Sequence, residues 1–167
     1  MKEKRDTRRE ILSLLERDAR LTAGEVAAYL DLPEAAVAKE IRKLEKEQII
    51  CGYGAFINWS RAGSAMITAL IEVKVTPARG KGFNRVAERI FRFDEVKAVY
   101  LMSGAYDLAV IIEGKSLEEI ALFVSDKLAP LESVLSTATH FVLRKFKDHG
   151  VIFGERNDDA ERMIVSP

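Results

Sequence analysis

The chain has 167 residues, 48% hydrophobic and 31% charged, and its 26 basic and 26 acidic side chains leave a formal net charge of zero. Such a chain fits one or two small globular domains with enough apolar material for a core. No apolar run is long enough to cross a bilayer, the N-terminal MKEKRDTRRE lacks the apolar centre of a signal peptide, and the single Cys51 excludes an intrachain disulfide. A cytoplasmic protein with no membrane partner is the expectation, with Cys51 as a small buried hydrophobe.

The first element is a helix from about Arg8 to Ala19. Thr7 and Glu10 have capping-box spacing, and Ile11, Leu12, Leu14 and Leu15 form its buried stripe. It reads as scaffold. Lys2, Lys4, Arg5, Arg8 and Arg9 make a basic N-terminal arm, either solvated or touching a nucleic-acid backbone.

The stretch from Leu21 to Phe56 then reads as two helices joined by a very short turn, followed by a strand-like segment. Thr22 and Glu25 cap the first of these helices, and Val26, Ala27 and Leu30 recur at helical spacing. Asp31-Leu32-Pro33 ends it, and Pro33 suits the first position of the next helix, with Glu34 at its positive end. Val37, Ile41 and Leu44 form the inward stripe of that helix. Ala35, Lys39, Arg42 and Lys46 fall opposite, flanked by Ala38 and Lys43.

Small residues near a helix start and cations further along suit entry into a groove lined with phosphates, which is the helix-turn-helix pattern. The candidate DNA-binding residues are therefore Glu34, Ala35, Ala36, Ala38, Lys39, Arg42, Lys43 and Lys46. A solvated surface hairpin is the plain alternative. The preceding helix and the following run IICGYGAFI favour a winged helix-turn-helix unit. Residues 1–60 hold 11 basic and 11 acidic side chains, so any positive field is local, and weak affinity per subunit is expected.

Near Asn58–Ser64 the apolar period changes from helical to strand-like. Trp59 stands there as an expected packing anchor between domains. The expected organisation is residues 1–58 for DNA binding, a linker over 59–64, a second domain over 65–153 and a charged tail over 154–167.

In the second domain Ile67, Ala69, Ile71, Val73 and Val75 alternate as a strand, and PARGKG is a loop. Phe83, Val86, Ala87 and Ile90 line a helix. VKAVYLM and LAVII are strands joined by the turn Gly104-Ala105-Tyr106-Asp107. Ser116 and Glu119 cap a helix carrying Leu117, Ile120, Ala121, Val124 and Leu128, and TATHFVLRKF is a fourth strand. The order βαββαβ is a ferredoxin-like sandwich, so the fold class is α+β. One sheet face is left uncovered. It is expected to be rich in Val, Ile, Leu and Met and to drive dimerisation or a higher assembly.

Taken together, residues from about Thr7 to Lys147 resemble the Lrp/AsnC family of transcriptional regulators. The carrying pieces are REILSLLERDARLT, LPEAAVAKEIRKLEKEQII, Gly52-Tyr53 and SGAYDLAVII. The resemblance implies binding to double-stranded DNA and homodimers that assemble, in many members, into octamers. It also implies a small-molecule effector, commonly an amino acid, held near Gly104, Ala105, Tyr106 and Asp107. By that analogy Gly104 lets backbone N–H groups approach a ligand carboxylate and Asp107 pairs an ammonium. A plain β-turn is the alternative, with Gly104 supplying positive φ and Asp107 bonding the local backbone.

Two departures stand out. Asp31 and Pro33 replace the family's Gly and Ser or Thr, and Ala35 and Ala36 remove hydroxyls that would meet phosphates. No cofactor and no metal is implied, since His140 and His149 lack metal-ligand spacing. Two other readings stay open. One is a haem-pathway decarboxylase of the same two-domain layout, using His140 and Arg144. The other is a co-regulatory assembly protein with weak DNA affinity.

Overall fold

A computed structural model describes residues 6–64, 66–76 and 82–153. The expectations for the basic arm at Lys2, Lys4 and Arg5, for most of the PARGKG loop and for the tail after Phe153 lie outside those residues. The chain divides into two compact units, one ending at Phe56 and one beginning at Ile57. No helix among the described residues is long and apolar enough to cross a membrane.

The first unit is three helices, α1 (Thr7–Arg17), α2 (Ala23–Leu30) and α3 (Glu34–Lys46). Helix α1 starts one residue earlier than expected, because the Asp6 carboxylate, not the Thr7 hydroxyl, accepts the Arg9 N–H as N-cap. It ends at Arg17, short of Ala19. The Thr22–Glu25 capping box forms on both sides, with Glu25 N donating to Thr22 Oγ1 at 3.2 Å and Thr22 N to Glu25 Oε2 at 2.7 Å. The bond from the Thr22 N–H holds the Glu25 carboxyl below its usual range.

Ile11, Leu15, Val26, Ala27, Leu30, Val37 and Leu44 close the core of this unit, with Ile41 half-buried against it. Helix α2 ends on Asp31 in the left-handed conformation (φ 55°, ψ 51°), a place usually taken by glycine. Asp31→Gly should therefore raise the stability of this unit by up to about 1 kcal/mol, less the extra freedom glycine gives the unfolded chain. Chemical denaturation checks this; an unchanged or lower midpoint would show that strain at Asp31 does not exceed the entropy glycine adds to the unfolded chain.

The strand expected at IICGYGAFI does not form. Residues 51–58 carry no regular secondary structure, because no strand among the described residues of this unit offers them a ladder. Cys51 is exposed, not buried, and its thiol donates to the Gln48 carbonyl at 3.2 Å.

The second unit has β1 (Ile67–Val75), α4 (Gly82–Ile90), β2 (Val96–Leu101), β3 (Leu108–Gly114), α5 (Leu117–Leu122) and β4 (Val134–Phe141). The sheet order is β2-β3-β1-β4 with every neighbouring pair antiparallel, the ferredoxin-like topology expected from the element order. Ala69, Ile71, Val73 and Val75 of β1 and Leu108, Val110 and Ile112 of β3 pack under Val86 and Ile90 of α4 and Ile120 of α5.

Three details differ from expectation. Helix α5 passes into a π-helical turn over Phe123–Leu128, where Ala129 N bonds Val124 O at 2.8 Å. The buried set is Ile120, Phe123 and Leu128, the last two in the wider turn, while Leu117 is 54% exposed and Ala121 exposed. Strand β4 begins at Val134 and stops at Phe141, so VLRKF is not strand. A small hairpin follows instead, β5 (Lys147–Asp148) with β6 (Val151–Ile152), turned by His149 and Gly150, both at positive φ.

Third, the open sheet face is mixed. The valines of β1 belong to the alternating set that faces the helices, so the open face carries Thr68, Leu70, Glu72 and Lys74 from that strand. Leu70 pairs with Ile111 and His140, and Glu72 lies between Ala109 and Ala138.

Candidate nucleic-acid interface and effector turn

The outward ridge of α3 is built as the spacing requires. Pro33, expected as the first helical residue, is instead the N-cap (φ −64°, ψ 131°), one position before the helix begins at Glu34, and it gives no side-chain hydrogen bond. Val37 and Leu44 are buried, which turns Ala35, Lys39, Arg42 and Lys46 to solvent, and all four are exposed. Glu34, Ala36 and Lys43 are exposed as well, and Ala38 is half-buried. All eight candidate residues thus share one helix, seven of them exposed.

The charges of this helix are sorted by face. Lys43 lies 3.9 Å from Glu47. Lys39, Arg42 and Lys46 have no ion pair or side-chain hydrogen bond among the described residues. Glu40, Glu45 and the capping Glu47, by contrast, are tied down, while Glu34 stands exposed in the first turn. Arg8 of α1 meets Glu40 at 2.9 Å and Glu47 at 2.5 Å, and the Tyr53 hydroxyl donates to Glu45 at 2.9 Å. Burial and the neighbouring Glu45 carboxylate push the Tyr53 phenol up. Net neutrality of the unit therefore coexists with an outward face of free cations. Sequence reading missed the roles of Arg8 and Tyr53, because their partners lie 39 and 8 residues away.

In the second unit Gly104 and Ala105 are exposed and Tyr106 and Asp107 half-buried. Asp107 is structural in part: Val75 N donates to its Oδ2 at 2.8 Å, and its own N–H bonds Val73 O at 3.0 Å. This is a bond across to β1, not the local turn bond considered from sequence. Gly104 does not adopt a positive φ, and a Cβ added there would meet nothing within 4 Å. The fold of this chain therefore does not itself require glycine at 104.

A separate cavity of about 320 Å³ is walled by Trp59, Arg61, Glu113, Arg144 and Phe153, and the Gly104–Asp107 turn is not part of its wall. Trp59 lies on a capped turn of the second unit, where Asn58 Oδ1 accepts the Arg61 N–H at 3.2 Å and Asn58 Nδ2 donates to Phe153 O at 3.3 Å. His140 stands 3.4 Å from Glu72 on the open sheet face. No group of three or more metal-ligating side chains occurs among the described residues.

Comparison with known proteins identifies both halves. Residues 4–50 match a winged helix-turn-helix DNA-binding family, and residues 68–152 match the Lrp/AsnC ligand binding domain. The chain belongs to the Lrp/AsnC family of transcriptional regulators. It is 51% identical, over 95% of both chains, to the uncharacterised HTH-type transcriptional regulator YugG of Bacillus subtilis. It also superposes on the leucine response regulatory protein LrpA of Mycobacterium tuberculosis (TM-score 0.73, 22% identity, 86% of this chain and 95% of that one). A Neisseria meningitidis transcriptional regulator solved with L-methionine gives a TM-score of 0.69 at 22% identity, covering 86% and 92% of the two chains.

As a member of this family the chain is a ligand-modulated DNA-binding regulator and not an enzyme. The decarboxylase reading of His140 and Arg144 falls with that assignment.

Proposed function

We propose that this Lrp/AsnC regulator acts in the cytoplasm on double-stranded DNA, laying the Ala35–Lys46 ridge of α3 in the major groove. The observation that carries this reading is the division of charge on α3, with Lys39, Arg42 and Lys46 free and exposed while Glu40, Glu45 and Glu47 are held by other side chains. Cations reach phosphates and base edges, and the alanines let the backbone approach. Because few cations are offered per subunit, affinity is summed over a homodimer or a larger assembly such as an octamer. Leu70 and Ile111 on the open sheet face supply apolar surface for that pairing.

An effector, an amino acid foremost, is held at Gly104–Asp107 and shifts assembly or DNA geometry. Such coupling needs a ligand that distinguishes two states. The unneeded glycine at 104 and the half-buried Asp107 carboxylate support that placement.

The test is a salt series on a duplex recovered by genomic-fragment pull-down. A dimer presenting six cations should give a slope of log affinity against log salt of about −5. A slope near zero would leave the protein a co-regulator that does not grip DNA itself.

A further inference from the structure

We infer that Arg8 is a positioning residue for DNA binding: it keeps the recognition helix cationic by neutralising Glu40 and Glu47, without itself touching the duplex. The inference rests on the reading of α3 given above.

Arg8 sits in the first turn of α1 and its guanidinium spans two acids near the far side of α3 from the cation ridge, Nε to Glu40 Oε1 at 2.9 Å and Nη2 to Glu47 Oε2 at 2.5 Å. Glu40 Oε1 is shut off from solvent and accepts no well-aligned hydrogen bond, so the charge of Arg8 is what compensates it. Glu47 is the C-cap of α3 and also lies 3.9 Å from Lys43. Without Arg8, Glu47 would draw on Lys43 alone and Glu40 would have no counter-charge.

Helix α3 carries Lys39, Arg42, Lys43 and Lys46 against Glu34, Glu40 and Glu45, with Glu47 at its cap. Its own charges therefore cancel, and Arg8, added from α1, tips the charge balance of this helix toward positive behind the exposed cation ridge. Both contacts stand within the first unit, so they do not depend on the other half of the chain.

The experiment is a double-mutant cycle on the full-length protein, read by fluorescence anisotropy on a duplex at about 0.1 M salt. Arg8→Gln in the native background should weaken binding about five- to tenfold, the effect of roughly one unit of neutralised charge. The same substitution in a Glu40→Gln/Glu47→Gln background should change binding less than about twofold, since no acid remains to be masked. Equal losses in both backgrounds would make Arg8 a direct phosphate ligand and overturn the inference, as would no loss in either. Failure of the α3 reading itself is distinguishable, because then Lys39→Ala would leave affinity unchanged too. Helical content measured on each variant separates masking of charge from loss of fold.

Discussion

Replacing Lys39 and Arg42 together by alanine should lower duplex affinity by at least about fiftyfold at about 0.1 M salt, two phosphate contacts per subunit being lost. The same change should move stability by less than about 0.5 kcal/mol, because both side chains are exposed and unpaired among the described residues. Arg42→Ala alone should show part of the effect with the same indifference of stability. Anisotropy titration beside thermal unfolding checks both halves. The contrast is Leu44→Ala on the buried stripe of the same helix, which should cost about 2–5 kcal/mol and reduce binding only through unfolding. If the Lys39/Arg42 double variant bound duplex as the native protein does, the outward ridge would not be the groove-facing surface.

Asp107 should separate two roles according to what replaces it. Asp107→Ala leaves the Val75 N–H, on a residue only 3% exposed, without its acceptor, and should destabilise the second unit by about 1–3 kcal/mol. Asp107→Asn keeps a carbonyl oxygen for that N–H while removing the charge, so the unit should stay folded with a nearly native melting temperature. Against a panel of amino acids that includes L-methionine, the native protein should gain thermal stability from its effector, and Asp107→Asn should lose that gain. The reason is that an ammonium pairs with a carboxylate and not with an amide. Should the asparagine variant keep the full ligand-induced shift, Asp107 would be purely a β1 anchor, and the cavity beside Glu113 and Trp59 would become the place to search.

The stretches legible in the sequence were those governed by local chemistry. The Thr22–Glu25 box, the Val37–Leu44 stripe and the alternation of β1 each depend on residues three, four or two apart, and each stands where it was expected. Periodicity failed where a remote partner decides. The IICGYGAFI run has strand-like composition but finds no strand beside it. Helix α5 widens into a π-turn that brings Phe123 into the core, where its ring meets Phe93 edge-on at 5.5 Å. The functional candidates divide in the same way: the cation ridge of α3 follows from a single helix, whereas the bond from Val75 to Asp107 needs two strands placed side by side.

By itself, then, the chain determined its three N-terminal helices, the βαββαβ order of its second unit with the fold class that order implies, and the cation-bearing face of α3, because a helix or strand period is written in neighbouring residues. Only tertiary structure decided which acids are silenced, through Arg8 and Tyr53, and which strand claims the Asp107 carboxylate. Those pairings join residues from eight to 39 positions apart, beyond the reach of a helix or strand period. Electrostatic and hydrogen-bond energies depend on distances of a few ångströms, which the folded chain alone sets.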